Sequence, residues 1–319
     1  MNYQDLRIVF MGTPEFAVAS LNALVQAGCN IVGVVTAPDK PAGRGMKLTE
    51  SAIKKYAVEK GLQVLQPEKL KNPSFLEELQ SLHADLQIVV AFRMLPEVVW
   101  NMPPLGTINV HGSLLPAYRG AAPINWAIIN GEKETGVTTF KLQHQIDTGN
   151  ILLQESIPIH EDETAGELHD EMKEVGAKLL LKTIKGIAEN SIQEIPQRNE
   201  SLNEAQKHAP KIFTETCKID WTKSTNEIYN LIRGLSPYPT AFTYLQSKLL
   251  KIYKAKKELK KLQAEPGSYE SDGKTYLRFA SADGYIEVLD MQLEGKKRMQ
   301  IEEFLRGSRL NPEVPDSNK

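Results

Sequence analysis

The first half of the chain alternates short, strand-like runs rich in apolar residues with stretches whose apolar residues recur every three or four positions. Leu6–Met11, Ile31–Thr36, Val64–Leu65, Leu86–Phe92 and Thr107–His111 are of the first kind. Between them lie amphipathic segments at Pro14–Ala27, Glu50–Lys60 and Ser74–Leu82, and a short one starting at Pro96. This spacing predicts strands and helices in alternation, the rhythm of a parallel sheet whose strands are buried on both faces. Thr13 followed by Pro14 is the expected N-cap and first-turn proline of the first helix, and Gly28 its C-terminal stop.

Further on, Val137–Leu142 and Ile151–Ile157 flank an Asp147-Thr148-Gly149 turn and predict a hairpin extending the sheet. Leu168, Met172, Val175 and Leu179 fall at helical spacing and predict a long helix from Thr164 to about Ala188. The polar, aperiodic stretch 190–210 then reads as a linker between a domain of residues 1–189 and one of residues 211–319. In the second, a helix near Thr225–Arg233 precedes short runs at Ala241–Leu245, Leu250–Ala255, Tyr276–Ala280 and Tyr285–Met291, punctuated by Pro, Gly and Asp. That pattern predicts a small antiparallel barrel. The expected fold class is thus α/β, a Rossmann-like domain followed by a small OB-like β-barrel.

Composition narrows the function classes. No apolar run approaches the roughly 18 residues that a membrane helix needs, so a cytoplasmic protein without a membrane partner is expected. Cys29 and Cys217 belong to no C-x-x-C pair, and no His, Cys and carboxylate cluster has ligand spacing, so the reading is of two inert thiols and no metal. The net charge of −2 conceals a division: residues 1–206 hold 18 basic and 25 acidic side chains, a balance of −7, whereas residues 207–319 hold 20 and 15, a balance of +5. A basic C-terminal third on an acidic body suits the docking of a polyanion at that end.

Two segments are candidates for chemistry. The Gly12-Thr13-Pro14-Glu15 turn stands where doubly wound sheets bind phosphates, but it has a single glycine, Pro14 removes a backbone donor and Glu15 repels anions. Gly12 therefore reads as a plain turn residue. Asn109 and His111, in contrast, lie two apart on a strand and share one face near its carboxyl end, where the ligand crevice opens. An amide donor beside an imidazole can hold a developing oxyanion, and the imidazole can handle the proton of an attacking amine.

The run Asn109-Val110-His111-Gly112-Ser113-Leu114-Leu115-Pro116 resembles the Asn-x-His-x-Ser-Leu-Leu-Pro motif of the folate-dependent formyltransferases, and Asp147-Thr148-Gly149 is similar to their Asp-x-Gly turn. The resemblance implies a catalytic set of Asn109, His111 and Asp147, with Asp147 orienting and polarising the imidazole. It implies folate contacts along Ser113, Leu114, Leu115 and Pro116, and 10-formyltetrahydrofolate as the formyl donor. Three features resemble the branch of the family that acts on tRNA: the basic Gly/Pro-rich loop 36–47, the run Tyr118-Arg119-Gly120-Ala121-Ala122-Pro123-Ile124, and the basic second domain. They imply initiator methionyl-tRNA as acceptor and no obligatory protein partner. Lys40, Arg44 and Lys47 are the expected contacts of a mobile grip loop, and Lys254, Lys256 and Lys257 those of a phosphate field, with Trp221, Tyr238 and Tyr253 as aromatic neighbours. The chain departs from many relatives at Phe92-Arg93-Met94-Leu95-Pro96, where they have Tyr-Gly before the apolar border of the pterin pocket. Neither Arg93 nor His144 is given a role, His144 being expected to face solvent.

Overall fold

The structure is a computed structural model, and it describes residues 2–42, 47–197, 207–260, 264–307 and 310. By its packing the chain divides into two compact units: Met1–Gly120 with Thr135–Ile157 and His169–His208, and Ala121–Glu134 with Pro158–Leu168 and Ala209–Lys319.

The first unit is built on a seven-stranded sheet. In chain order it contains β1 (Arg7–Gly12), α1 (Glu15–Gln26), β2 (Asn30–Val35), β3 (Lys40–Ala42), β4 (Lys47–Thr49), α2 (Ala52–Glu59), β5 (Val64–Leu65), α3 (Pro73–Ser81), β6 (Leu86–Val90), α4 (Glu97–Trp100), β7 (Thr107–His111) and β8 (Arg119–Gly120). The chain later returns to it in the hairpin β9 (Glu134–Lys141) and β10 (Ile151–Pro158), the sheet order being β10-β9-β7-β6-β1-β2-β5. The strands from β5 to β7 run parallel, and β9 runs antiparallel to β7. Strand order reverses between β1 and β6, so their carboxyl ends flank the crevice that such sheets offer a ligand. All five residues of β6 are buried, Gln87 among them, as expected of a mostly apolar strand covered on both faces.

The expected capping of α1 is corrected. Pro14, extended at φ −79° and ψ 173°, is the N-cap, and no side chain caps the helix. The helix starts one residue later than expected, so Thr13 stands outside the cap, and the Ala17 amide donates to the Pro14 carbonyl at 3.0 Å. At the other end Gly28 adopts φ +73° just past the Ala27 C-cap, and the Gly28 and Cys29 amides close back on Val25 and Leu24. Gly12 packs tightly, since a Cβ there would lie 2.7 Å from that of Ala17 and 3.0 Å from the Val90 carbonyl.

The second unit centres on an antiparallel, curled sheet of six strands: β12 (Ala241–Leu245), β13 (Lys248–Leu259), β14 (Tyr269–Ser271), β15 (Leu277–Ala280), β16 (Gly284–Leu293) and β17 (Met299–Gln300). The order β12-β13-β16-β15-β14, with β17 beside β16, leaves it open between β12 and β14: the expected barrel is a half-barrel. Its core of Leu250, Ile252, Phe279, Ile286, Val288 and Met291 is closed by α7 (Thr225–Gly234) through Ile228 and Ile232. Ser224 and Glu227 cap that helix reciprocally. Two register shifts in β13, between Ile252 and Ala255, mark a bulge. The long helix α6 (Ala165–Ala188) matches its expected span, and α5 (Pro123–Ile129), the short strand β11 (His208–Ala209), a 3-10 turn at Glu215–Cys217 and α8 (Ile301–Arg306) are the remaining elements among the described residues. Both cysteines are buried and unpaired, and burial pushes both thiols up. No helix among the described residues is long and apolar enough to cross a membrane.

Candidate active site

β7 delivers Asn109 and His111 to the carboxyl edge of the sheet, opposite Phe140 and Thr138 of β9. Strand alternation puts both side chains on one face. Asn109 is half-buried, and its amide makes no hydrogen bond among the described residues, so its donors are available to an incoming oxygen. His111 is buried, and its Nε2 lies 2.9 Å from the Tyr118 carbonyl. A carbonyl can only accept, so the neutral ring carries its proton on Nε2 and keeps a lone pair on Nδ1. Phe140 meets the imidazole edge-on, with ring centroids 6.4 Å apart, which fixes its plane.

The loop 112–120 that follows is stitched from inside. The Thr138 hydroxyl donates to the Ser113 carbonyl (2.6 Å) and accepts from the Leu115 amide (3.1 Å) and Gln154 Nε2 (2.9 Å), filling one donor and two acceptor places. Ser113 Oγ donates to the Ala117 carbonyl at 2.7 Å, and Gln154 also holds the Leu115 carbonyl. Of the four expected folate contacts, Ser113 and Leu115 are buried, the latter beside Phe140 and Ile151, so both side chains hold the loop in shape. Leu114 is half-buried and Pro116 exposed. Tyr118 takes the left-handed conformation at φ +58°, which turns its carbonyl back to His111 while its amide donates to the Lys207 carbonyl.

Asp147 reaches the same loop from the other side. It too is left-handed, at φ +55°, and its Oδ2 accepts from the Gly120 amide at 3.0 Å. Among the described residues no hydrogen bond joins Asp147 to His111: the imidazole is oriented by Tyr118, and the carboxylate closes the end of the loop two residues later. Gln197 fixes the turn from behind, donating to the carbonyls of Asp147 (3.0 Å) and Gly149 (2.8 Å) and accepting from Arg119 Nε at 3.1 Å. Burial pushes the Arg119 guanidinium down from its ordinary value, and the Asp147 charge opposes that shift. Gly149 is obligatory on space alone, because a Cβ there would sit 1.6 Å from the Lys141 carbonyl oxygen.

The departing segment 92–96 follows Ala91, itself at φ +47°. Arg93 turns away into the protein, donating through Nη1 to the Glu68 carbonyl at 2.8 Å and through Nη2 to that of Pro67, and burial pushes its guanidinium down. It anchors one loop to another and leaves Met94 73% exposed. His144 faces solvent as expected, with Glu97 Oε2 at 3.5 Å.

The proposed tRNA contacts are not alike. The base of the grip loop is a β3–β4 hairpin pairing Lys40 with Thr49 and Ala42 with Lys47. Asp39 secures it through Lys54 and through Gln66 Nε2 at 2.8 Å. Lys40 is exposed, Arg44 lies outside the described residues, and so does the Lys47 side chain. In β13, Lys254 and Lys256 are exposed, whereas Lys257 is half-buried, 3.2 Å from Glu161 and 5.0 Å from the centre of the Tyr229 ring. Trp221 stacks on Phe279 with centroids 4.7 Å apart, a core role. Among the described residues no group of His, Cys, Asp and Glu is arranged to hold a metal. Sequence reasoning missed Thr138, Gln154 and Gln197. Thr138 could have been found as the cross-strand partner of His111, but Gln197 carries no local signal.

Comparison with known proteins identifies the family of both parts of the chain. A formyl transferase model matches residues 6–184, and a formyl transferase C-terminal domain model matches residues 211–309. The methionyl-tRNA formyltransferase of Bacteroides fragilis is 52% identical over 315 residues, covering 97% of each chain. That of Parabacteroides distasonis is 54% identical over 96% of this chain and 97% of its own. Among solved structures, a sugar 3N-formyl transferase crystallised with dTDP and 5-N-formyl-THF shares 22% identity at a TM-score of 0.66, covering 92% of this chain and 99% of that one. The N-formyltransferase of Helicobacter canadensis, also 22% identical, gives 0.65 over 89% and 98%. The chain therefore belongs to the formyl transferase family, in the branch that the methionyl-tRNA formyltransferases form.

Proposed function

We propose that this chain transfers the formyl group of 10-formyltetrahydrofolate to the α-amine of initiator methionyl-tRNA. The observation that carries the chemistry is the pairing, on one face of β7, of the Asn109 amide, which has no partner among the described residues, with an imidazole whose Nε2 is already committed. Attack of the amine on the formyl carbon forms a tetrahedral centre whose oxyanion takes the Asn109 N–H. The lone pair on His111 Nδ1 accepts the proton that the amine nitrogen sheds, and the C–N bond to the folate breaks as its nitrogen is protonated. Asp147 supports the imidazolium by its negative charge and holds the loop through Gly120. Main-chain groups of Ser113 and Leu115 and the side chains of Leu114 and Pro116 border the folate.

The likeness to methionyl-tRNA formyltransferases and the basic balance of residues 207–319 support this acceptor. Residues 1–189 carry the chemistry, 190–210 join, and 211–319 hold the tRNA. Lys254 and Lys256 attract phosphates, Lys257 being largely neutralised by Glu161, and Lys40, Arg44 and Lys47 grip the acceptor end. Such an acceptor places the work in the cytoplasm. Purified protein given 10-formyltetrahydrofolate should formylate charged methionyl-tRNA and leave dTDP-linked amino sugars untouched. Turnover of the sugar with none of the tRNA would overturn the acceptor and keep the chemistry.

A further inference from the structure

Tyr238 is 82% exposed, a position from which it adds almost nothing to the core. Yet its backbone is held on both sides. It stands between Pro237 and Pro239 in the segment that joins α7 to β12. Thr240 Oγ1 donates to the Pro237 carbonyl at 2.7 Å, and the Thr240 amide donates to the Leu235 carbonyl at 2.9 Å. The Gly166 amide donates to the Ser236 carbonyl at 3.0 Å, and only a glycine fits there, since a Cβ would lie 2.5 Å from Pro237 Cδ. An exposed aromatic on so fixed a mount has lost its backbone freedom before anything binds, and a partner that covers it does not bear that entropy again.

Its neighbours say what the partner is. Ala241 pairs antiparallel with Ile252 as the last pair of β12 and β13, so the segment that holds Tyr238 enters, and Tyr253 and Lys254 leave, at the same end of that strand pair. On the other flank Glu167, next to Gly166, is near enough to Lys254 for that ammonium to help hold its carboxyl down, after its bonds to Thr164. Lys256 is exposed two residues on, and Arg298 lies 4.1 Å over the Tyr253 ring while pairing with Asp290. The ring thus stands at the end of the sheet that also carries exposed lysines and a second aromatic. Lysines take phosphates, and an exposed ring takes the face of a base, which a duplex hides and an unpaired nucleotide offers.

We infer that Tyr238 is a stacking platform for an unpaired base of the tRNA, with Lys254 taking an adjoining phosphate. This rests on the reading of tRNA as the acceptor. Tyr238→Ala should raise the KM for methionyl-tRNA, and the Kd for uncharged tRNA, by roughly five- to a hundredfold, the loss of one base–aromatic stack. The kcat and the KM for folate should stay within about twofold, as for contacts remote from the chemistry. Tyr238→Phe and Tyr238→Trp should restore affinity, because any aromatic face stacks, and single-stranded RNA should compete better with wild type than with Tyr238→Ala while duplex RNA competes equally with both. A tRNA Kd for Tyr238→Ala within twofold of wild type overturns the inference. So does a Phe variant as weak as Ala, which would assign the effect to the hydroxyl. Should wild type bind tRNA yet formylate none, the reading of the acceptor fails while the Kd comparison still decides the stack.

Discussion

Gly149→Ala tests whether the position of the Asp147 turn limits turnover. The new Cβ would lie 1.6 Å from the Lys141 carbonyl oxygen, 2.8 Å from its carbon and 3.3 Å from Phe140 Cδ2. Ordinary contact needs about 3.5 Å, so the turn must withdraw by about 2 Å. Such a shift breaks the bond from the Lys141 amide to the Asn150 carbonyl (3.0 Å) and those from Gln197 to the carbonyls of residues 147 and 149. Three hydrogen bonds at about 1 kcal/mol each give a loss of about 3 kcal/mol from the first unit. Asp147 also moves off the Gly120 amide. A misplacement of about 1 Å near the chemistry costs on the order of a hundredfold in rate, so kcat at saturating folate and methionyl-tRNA should fall by at least that much. Thermal unfolding run in parallel should show a lowered midpoint and bound the fraction folded at the assay temperature. A folded variant with kcat within about threefold of wild type would refute the reasoning, since the carboxylate could then act from a displaced turn.

Asn109→Ala should lower kcat roughly a hundredfold with tRNA affinity unchanged, the size of one lost oxyanion donor; a fall of under about threefold counts against that site. Asp147→Asn keeps an oxygen for the Gly120 amide but loses the charge, so the fold should be as stable as wild type while kcat drops by a similar factor, and unchanged kinetics would reduce Asp147 to a turn residue. Neutralising Lys254 and Lys256 together should weaken tRNA binding and flatten its salt dependence by about one unit of slope or less per lost phosphate contact, with kcat at saturation near normal; an unaltered slope, measured by titration across salt concentrations, would remove these two from the interface. Arg44→Ala should lower kcat even at saturating tRNA, and a defect that tRNA concentration fully rescues makes Arg44 one more phosphate contact.

Much of this was legible in the sequence because the signals were local. The run of β6, apolar but for Gln87, announced a strand buried on both faces, and the two-residue spacing of Asn109 and His111 put them on one face without any knowledge of the rest. The Asp-Thr-Gly turn lay where the hairpin needed it, though its bond to Gly120 spans 27 positions and no periodicity encodes it. Gln197, 50 residues from Asp147, sits in polar, aperiodic sequence that reads as connection only. Lys257 shows how one backbone irregularity defeats alternation. Counting by twos from Leu250 and Ile252 places Lys254 and Lys256 inward, but the bulge before Ala255 exchanges the faces, so those two meet solvent and Lys257 turns in to Glu161. The grip loop read as uniformly mobile because Gly and Pro dominate it, yet Asp39, Lys54 and Gln66 tie down its base.

The strap behind the Asp147 turn sets where the chain can be cut. Between Glu194 and Gln197 it makes an ion pair with Lys141, a bond from Asn150 Nδ2 to Glu194 at 3.0 Å, a two-way backbone bridge from Ile195 to Ile151, and the Gln197 clasp. Lys207 then lends its carbonyl to Tyr118, whose own carbonyl orients His111. A catalytic fragment ending after α6 would keep every strand of the sheet and all of Asn109, His111 and Asp147, but it would lose the groups that hold the last two in place. Proteolytic nicking between α6 and Gln197 should therefore silence the chemistry while the sheet stays folded, and a dissection meant to yield a working catalytic half has to carry the chain through Lys207.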